Sequence, residues 1–409
     1  MASFESVQQS LERTVAEGYA PGIVAGIRHR GETKYLVTGR YSFDPASPPM
    51  TAETPFRVAS LGKLVAGALS TMLLDEGVFA LEDPIDRWLP EFAEPRVLAS
   101  PDAPLDDTVP AHRPITVRDL LTMTAGFAFP FPETALTRAM SDAGVATGPV
   151  PAQVTPDDFA ARLGALPLVR QPGERFAYDT AADVLSILLA RASGGTLGDL
   201  VRTRIADPLG LASTAFFVPG PLPTPYRVRE GELGSGAEAA DTNTPADLEV
   251  AEGLVSAFEH PPLMESLRGG LVSSVPDFLR FLTAIDDDEL LTRDQRIRMT
   301  SDHLTDDQRI GLADMGGPGY GWGWQIGVDL IPRPGATIDA DAFRAVALAQ
   351  EPWRSPGRWG WAGGTGTSAY VDPDRDLVAA VFTQHQLGAP TDDFAFFWRP
   401  LTAEVGSRT

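Results

Sequence analysis

An α/β (α+β) chain, with one sheet assembled from both ends and a helical lobe inserted between them, is the fold class this sequence predicts. Three observations predict it. β-rich runs occur near the N-terminus and again from Gly269 onward, short helical stretches between Pro- and Gly-rich loops fill the middle, and no long polar linker divides the 409 residues. That length exceeds what one core usually holds, so two closely packed lobes are expected: a sheet domain from 1–84 and 256–409, and a mainly helical domain from 85–255. A groove between them is the expected functional site.

Each element follows from local pattern. Phe4, Val7 and Leu11 recur at helical spacing behind Met1. Gly22–Arg28 and Lys34–Thr38, joined by a turn at Arg30-Gly31-Glu32, predict a β-hairpin. Apolar residues at 61, 64, 65, 68, 72 and 73 mark the buried face of a helix over 61–74, with Gly77 as its stop, so Ser60 falls at a helix N-terminus. Helical stretches follow at 118–124, 156–165, 180–193 and 197–205, and 217–250 is expected as a long surface loop. Asp286-Asp287-Asp288-Glu289 is read as a solvated helix approach, not a metal site. Tyr320–Ile326, Thr367–Val371 and Leu377–Phe382 are the C-terminal strands, the last two joined by a turn over 372–376. No internal repeat is visible.

A net charge of −22 opposes binding to phosphate backbones or anionic lipid, so neither nucleic acid nor membrane is an expected partner. No apolar run reaches spanning length, and the first residues lack a basic segment followed by an apolar export core, which predicts a soluble, cytoplasmic protein. With no cysteine, disulfides, thiolate metal sites and cysteine nucleophiles are excluded, and covalent catalysis must use oxygen or nitrogen. Of the 33 basic residues only Lys34 and Lys63 are lysine. A chain that otherwise uses arginine retains a lysine where a removable proton matters, because guanidinium stays charged.

Ser60 and Lys63 stand three residues apart at a helix start, so they share a face and can meet. A serine hydroxyl is a poor nucleophile until a neighbouring base takes its proton, and the helix dipole favours both an uncharged amine and the oxyanion forming beside Ser60. As a bare motif the pair is weak, since a capping serine and a surface lysine would look the same; the lysine-poor chain and the apolar helix sharpen it. There is no Gly-x-Ser-x-Gly elbow, zinc helix or Gly-rich phosphate loop. The histidines at 29, 112, 260, 303 and 385 fall in no motif and are expected in surface or capping roles.

Phe56-Arg57-Val58-Ala59-Ser60-Leu61-Gly62-Lys63 resembles the nucleophile segment of the serine β-lactamase and penicillin-binding-protein superfamily, in its class C-like branch, which includes the family VIII carboxylesterases. Segments 83–90, 115–126, 172–178, 269–274 and 363–367 resemble further motifs of that branch in order, so the likeness covers nearly the whole chain. It implies a β-lactamase-like fold, an antiparallel sheet flanked by helices with an inserted helical lobe. It implies Tyr178 as the proton carrier beside Ser60 and Lys63, backbone N–H groups of Ser60 and Gly364 as the oxyanion hole, and no metal or organic cofactor. The family's Tyr-x-Asn reads here as Tyr178-Asp179-Thr180, so an amide contact to substrate is missing. The third motif, Lys-Thr-Gly or His-x-Gly in relatives, reads Trp361-Ala362-Gly363 and resembles the Trp-Gly-Gly of the carboxylesterases, with no cation for a lactam carboxylate.

The expected activity is therefore that of a serine hydrolase acting on a small or medium carboxylic ester with an apolar acyl part, through an acyl-Ser60 intermediate. Trp361, Gly363, Phe127, Thr180 and Trp324 are the candidate substrate contacts, with Phe129, Phe131 and Trp322 as further aromatic residues for an apolar acyl pocket. Amide or lactam hydrolysis, acyl transfer and D-amino-acid peptidase activity are alternatives on the same fold. From another class stands an inactive relative that binds a ligand or partner protein.

Overall fold

Strands from the two ends of the chain pair directly in the computed structural model, which describes residues 3–129, 133–229, 245–316, 319–330, 351–388 and 394–406. The hairpin β1 (Gly22–His29) and β2 (Glu32–Gly39) joins β3 (Tyr320–Trp322), β4 (Gly327–Asp329), β5 (Trp359–Gly363), β6 (Thr367–Asp372) and β7 (Leu377–Thr383). All neighbours are antiparallel in the order β2-β1-β7-β6-β5-β4-β3. The N-terminal hairpin enters through β1 against β7, with Ile23 opposite Thr383 and His29 opposite Leu377.

Period-2 alternation assigns each side chain to one of two layers, both buried. On β7, Leu377, Ala379 and Val381 face an outer layer with Phe4, Val7 and Leu11 and with Phe397, Trp398 and Leu401, while Val378, Ala380 and Phe382 face the main core. The outer layer is closed by α1 (Glu5–Ala16) and the C-terminal helix Ala395–Val405, which pack together. On the inner face the helix Val275–Asp286 lies across β1 and β7. The main core runs on without a break into the helices of the middle of the chain.

Two features differ from the sequence reading. The stretch 320–326 is a short strand and a turn, not one strand: β3 ends at Trp322, and Gly323 N–H bonds Ile326 O in a turn that carries Gln325 at φ 61° before β4 begins at Gly327. Within 217–250, Tyr226–Val228 and Leu248–Val250 pair as a small antiparallel ladder, while 230–244 lie outside the described residues. The acidic run at 286–289 follows the C-terminal end of the helix Val275–Asp286 and is held by ion pairs, Asp287 to Arg28, Asp288 to Arg296 and Glu289 to Arg280. No single helix among the described residues is long and apolar enough to cross a membrane.

Candidate active site

The helix expected over 61–74 forms as α2 (Gly62–Asp75), preceded by one 3₁₀ turn, Ala59–Leu61. Ala59 sits at φ 43°, a left-handed conformation that side-chain-bearing residues rarely adopt, and it turns Ser60 out of the strand-to-helix corner. That corner is held from both sides. Phe56-Arg57 pairs with Val272-Ser273, and buried Arg57 donates to the carbonyls of Leu254 and Pro223 at 3.1 and 2.8 Å. Thr367 Oγ1 donates to Val58 O at 3.1 Å, tying the corner to β6.

Lys63, the second residue of α2 and one turn beyond Ser60, is fully buried, and its Nζ donates to Ser60 Oγ at 2.9 Å. The same Nζ bonds Asp179 Oδ1 at 2.8 Å and the carbonyl of Arg268 at 3.2 Å. Segment 267–268 can come this close because residue 62 is glycine: a Cβ there would stand 2.6 Å from Leu267 O. Sequence reasoning predicted an amine influenced by a helix dipole alone; a buried carboxylate is its direct partner. Lys34, the other lysine, is exposed on the edge strand β2.

Tyr178 reaches the same point from the segment before the helix Thr180–Ser193. Its ring lies under Lys63 Nζ, 4.6 Å from the centroid, and its phenol oxygen accepts from Trp361 Nε1 at 2.6 Å. Burial pushes the phenol above its ordinary pKa, opposed by the Lys63 charge and by hydrogen bonds with Ser60 and Trp361. Trp361 comes from β5 in the sheet, so the cluster joins both lobes. Trp322 forms its floor, fully buried, with ring centroids 4.8 Å from Trp361, 5.8 Å from Tyr178 and 5.2 Å from Phe176.

Asp179 was not singled out from sequence, because its position is the variable one in Tyr-x-Asn. It adopts φ 88° and ψ −71°, close to the strained γ-turn, which swings its carboxylate back toward Lys63. Its other oxygen accepts from Gly148 N at 3.2 Å and lies 3.6 Å from Arg268 Nη1. Burial opposes ionisation, but the Lys63 and Arg268 charges and these hydrogen bonds outweigh it and hold the Asp179 carboxyl below its usual range. Arg268, itself buried, pairs with Asp183 at 2.5 Å and donates to the carbonyls of Gly148 and Val150. Asp183 also accepts from Ser266, and burial leaves its carboxyl above the usual range. Two buried cations and two buried carboxylates therefore balance behind Ser60.

Several expected substrate contacts are placed elsewhere. Thr180 is buried and donates to Ala128 O at 3.1 Å, which ties the start of its helix to the segment that carries Phe127 and Phe129. Phe127 is buried against Phe92, with centroids 5.8 Å apart; Phe129 is the loop aromatic beside Tyr178, at 6.1 Å. Phe131 lies outside the described residues. Trp324 belongs to the β3–β4 turn, whose backbone bonds Met299 and Leu121; its ring stacks on His303 and lines a surface hollow with Leu74 and Arg298, toward the far end of α2. Gly363 is buried packing: a Cβ there would stand 2.3 Å from both Val58 O and Thr367 Oγ1, so the missing side chain lets β5 touch the nucleophile corner. Gly364, next along, is half-buried with only Pro149 Cβ near its own missing Cβ, at 3.6 Å. His385 is buried and stacked on Tyr19, so it is neither on the surface nor a cap. No group of acidic and histidine side chains among the described residues could hold a metal.

The chain matches the Beta-lactamase family over residues 7–403. Protein Rv1367c of Mycobacterium tuberculosis is 30% identical over 393 residues, covering 92% of this chain and 89% of the relative. Esterase EstB of Burkholderia gladioli is 30% identical over 327 residues, 77% of each chain. Among solved structures, EstCE1, a hydrolase with promiscuous acyltransferase activity, superposes with a TM-score of 0.77 at 23% identity over 98% of both chains. A sheet built from both termini, with Ser60 and Lys63 at the corner between it and the helical lobe, is thus that of a chain belonging to the Beta-lactamase family.

Proposed function

We propose that this protein is a serine hydrolase that cleaves neutral carboxylic esters through an acyl-Ser60 intermediate. The observation that carries the reading is the Trp361–Tyr178 hydrogen bond. Where lactam-hydrolysing relatives are expected to have a cation for the substrate carboxylate, this chain has an indole whose only polar hydrogen is already used. The esterase name of EstB and the hydrolase and acyltransferase name of EstCE1 support the same class of reaction.

In this reading Lys63, in its uncharged form, takes the Ser60 proton as Oγ attacks the ester carbonyl, and the carbonyl electron pair becomes an oxyanion facing the N–H groups of Ser60 and Gly364. Trp361 can only donate, so the phenol oxygen of Tyr178 is an acceptor toward it and the phenol's own proton points to the Ser60 side. Collapse of the oxyanion expels the alcohol, which leaves with a proton delivered through Tyr178. Water, or a second alcohol, then gives its proton to the same pair and attacks the acyl carbon, releasing acid or a new ester and restoring Ser60. Phe129 and Trp361 offer the acyl group an aromatic wall.

A fluorophosphonate probe with peptide mapping tests the nucleophile, and a panel of aryl esters, nitrocefin, linear amides and D-Ala dipeptides tests the class. Labelling at Ser60 with esters turned over fastest is expected; labelling elsewhere, or preferred lactam turnover, rejects the reading.

A further inference from the structure

We infer that Asp179 is a positioning residue for the proposed Ser60–Lys63 chemistry: its carboxylate aims the Lys63 amine at Ser60 and balances the ammonium that forms when the serine proton is transferred. The inference rests on the proposed acyl-Ser60 reading and names a residue that the family pattern leaves variable.

The geometry carries it. Lys63 Nζ is fixed by three oxygens, Ser60 Oγ at 2.9 Å, Asp179 Oδ1 at 2.8 Å and Arg268 O at 3.2 Å, and the side chain has no exposure. Only the first is the reaction partner; the other two set where the amine points. Of those, only Asp179 carries charge. Lys63 donates to three oxygens as the ammonium and acts as base only in its uncharged form; when that form takes the Ser60 proton, the O–H bond breaks, an N–H bond forms, and the positive charge returns 2.8 Å from a carboxylate already in place, so little reorganisation is needed. The Ser-His-Asp triad distributes the same roles among nucleophile, base and a buried anion that orients the base, and it is recognised by geometry, not by residue type.

Asp179 is itself held. Gly148 N–H and Arg268 Nη1 bind its second oxygen, and Arg268 is fixed in turn by Asp183. The backbone at φ 88° and ψ −71° aims the carboxylate at Lys63 and leaves it making no cap to its own helix. Gly148 leads into Pro149, whose Cβ would stand 3.6 Å from a Cβ at Gly364, so one carboxylate joins the base to the segment beside the candidate oxyanion residue.

Asp179→Asn keeps shape and acceptor and removes charge; Asp179→Ala removes both. Each is compared with wild type by the rate of Ser60 labelling with a fluorophosphonate, by kcat and KM on an aryl ester, and by thermal unfolding. For Asp179→Asn the expected result is a labelling rate and kcat reduced at least about 100-fold, with KM within about threefold, measured at a temperature well below the variant's own unfolding midpoint, which falls because Lys63 loses its charged partner. Asp179→Ala is expected to be slower still. Asp179→Asn labelling and turning over at wild-type rates overturns the inference, as does a loss that only tracks the fraction of unfolded protein. If wild-type Ser60 itself does not label while the protein is folded, the acyl-serine reading fails and takes this inference with it; if wild type labels and Asp179→Asn labels equally fast, only the inference fails.

Discussion

The indole N–H of Trp361 donates to the phenol oxygen of Tyr178 at 2.6 Å, joining strand β5 of the sheet to the start of a helix in the other lobe. The bond both orients the phenol and stabilises negative charge on it, against burial that pushes the other way. Trp361→Phe keeps the ring contacts with Trp322 and Tyr178 and loses the donor. One hydrogen bond to a developing charge is worth about 1.5–3 kcal/mol, so kcat for an aryl ester is expected to fall roughly 10- to 100-fold with the fold intact. Steady-state kinetics decide it: a change in KM alone would mean that Trp361 only touches substrate.

Lys63 offers a test in which activity and stability move together. Its amine is fully buried against Asp179, so Lys63→Met removes the proposed base and leaves the carboxylate with Arg268, at 3.6 Å, as its remaining charged partner. Breaking a buried pair by removing one partner costs about 3–5 kcal/mol. Turnover is expected to vanish and the urea midpoint to drop. Lys63→Arg is expected to be inactive too, and, because the bulkier guanidinium has no space at a site with no exposure, less stable than charge conservation alone suggests. Retained turnover in either variant eliminates Lys63 as the base.

Much of this site was legible before any coordinates, for identifiable reasons. Ser60, Lys63 and the corner that presents them are local: three residues, a helix start and a hydrophobic stripe specify them. The hairpin 22–39 and the strands 367–372 and 377–383 were legible because alternation and turn residues coincide. What escaped was decided by contacts distant in sequence. Asp179 and Arg268 are ordinary charges in a chain with 55 acidic residues, and become a network only when the fold brings 63, 148, 179, 183 and 268 together. Trp324, Phe127 and Thr180 are suggested by residue type alone, and their neighbours are set by the fold: a tight turn, Phe92 and the carbonyl of Ala128.

The buried carboxylates predict an acid limb of stability. Asp179 has a folded-state pKa below its unfolded value of about 3.9, so it binds protons less readily when folded; its contribution is fully present above about pH 4 and is lost as pH falls through the lower folded value. Asp183 has the opposite sign: its folded value is raised, so stability falls as pH rises from about 4 through that higher value. Asp179→Asn removes the first contribution. Urea unfolding between pH 5 and pH 2 is expected to show a shallower loss below pH 4 in the variant than in wild type, and parallel curves would mean that Asp179 is not held ionised by Lys63 and Arg268.

Adjacent glycines separate packing from chemistry at the oxyanion strand. A methyl group on Gly363 would meet Val58 O and Thr367 Oγ1, both at 2.3 Å, so Gly363→Ala must push β5 away from the corner that carries Ser60. At Gly364 the nearest obstacle is Pro149 Cβ at 3.6 Å, an ordinary contact, and the backbone there need not move. If the N–H after Gly363 stabilises the oxyanion, displacing it by even about 1 Å is costly, on the order of 100-fold in rate. Gly363→Ala is therefore expected to lose kcat about 100-fold and some stability, whereas Gly364→Ala stays within about tenfold of wild type for a small acyl group and discriminates against larger ones, because its methyl narrows the gap under Pro149. Comparing kcat/KM for acetyl and longer-chain aryl esters in the two variants checks both statements; equal losses at both positions would show that strand placement beside Ser60 does not govern the rate.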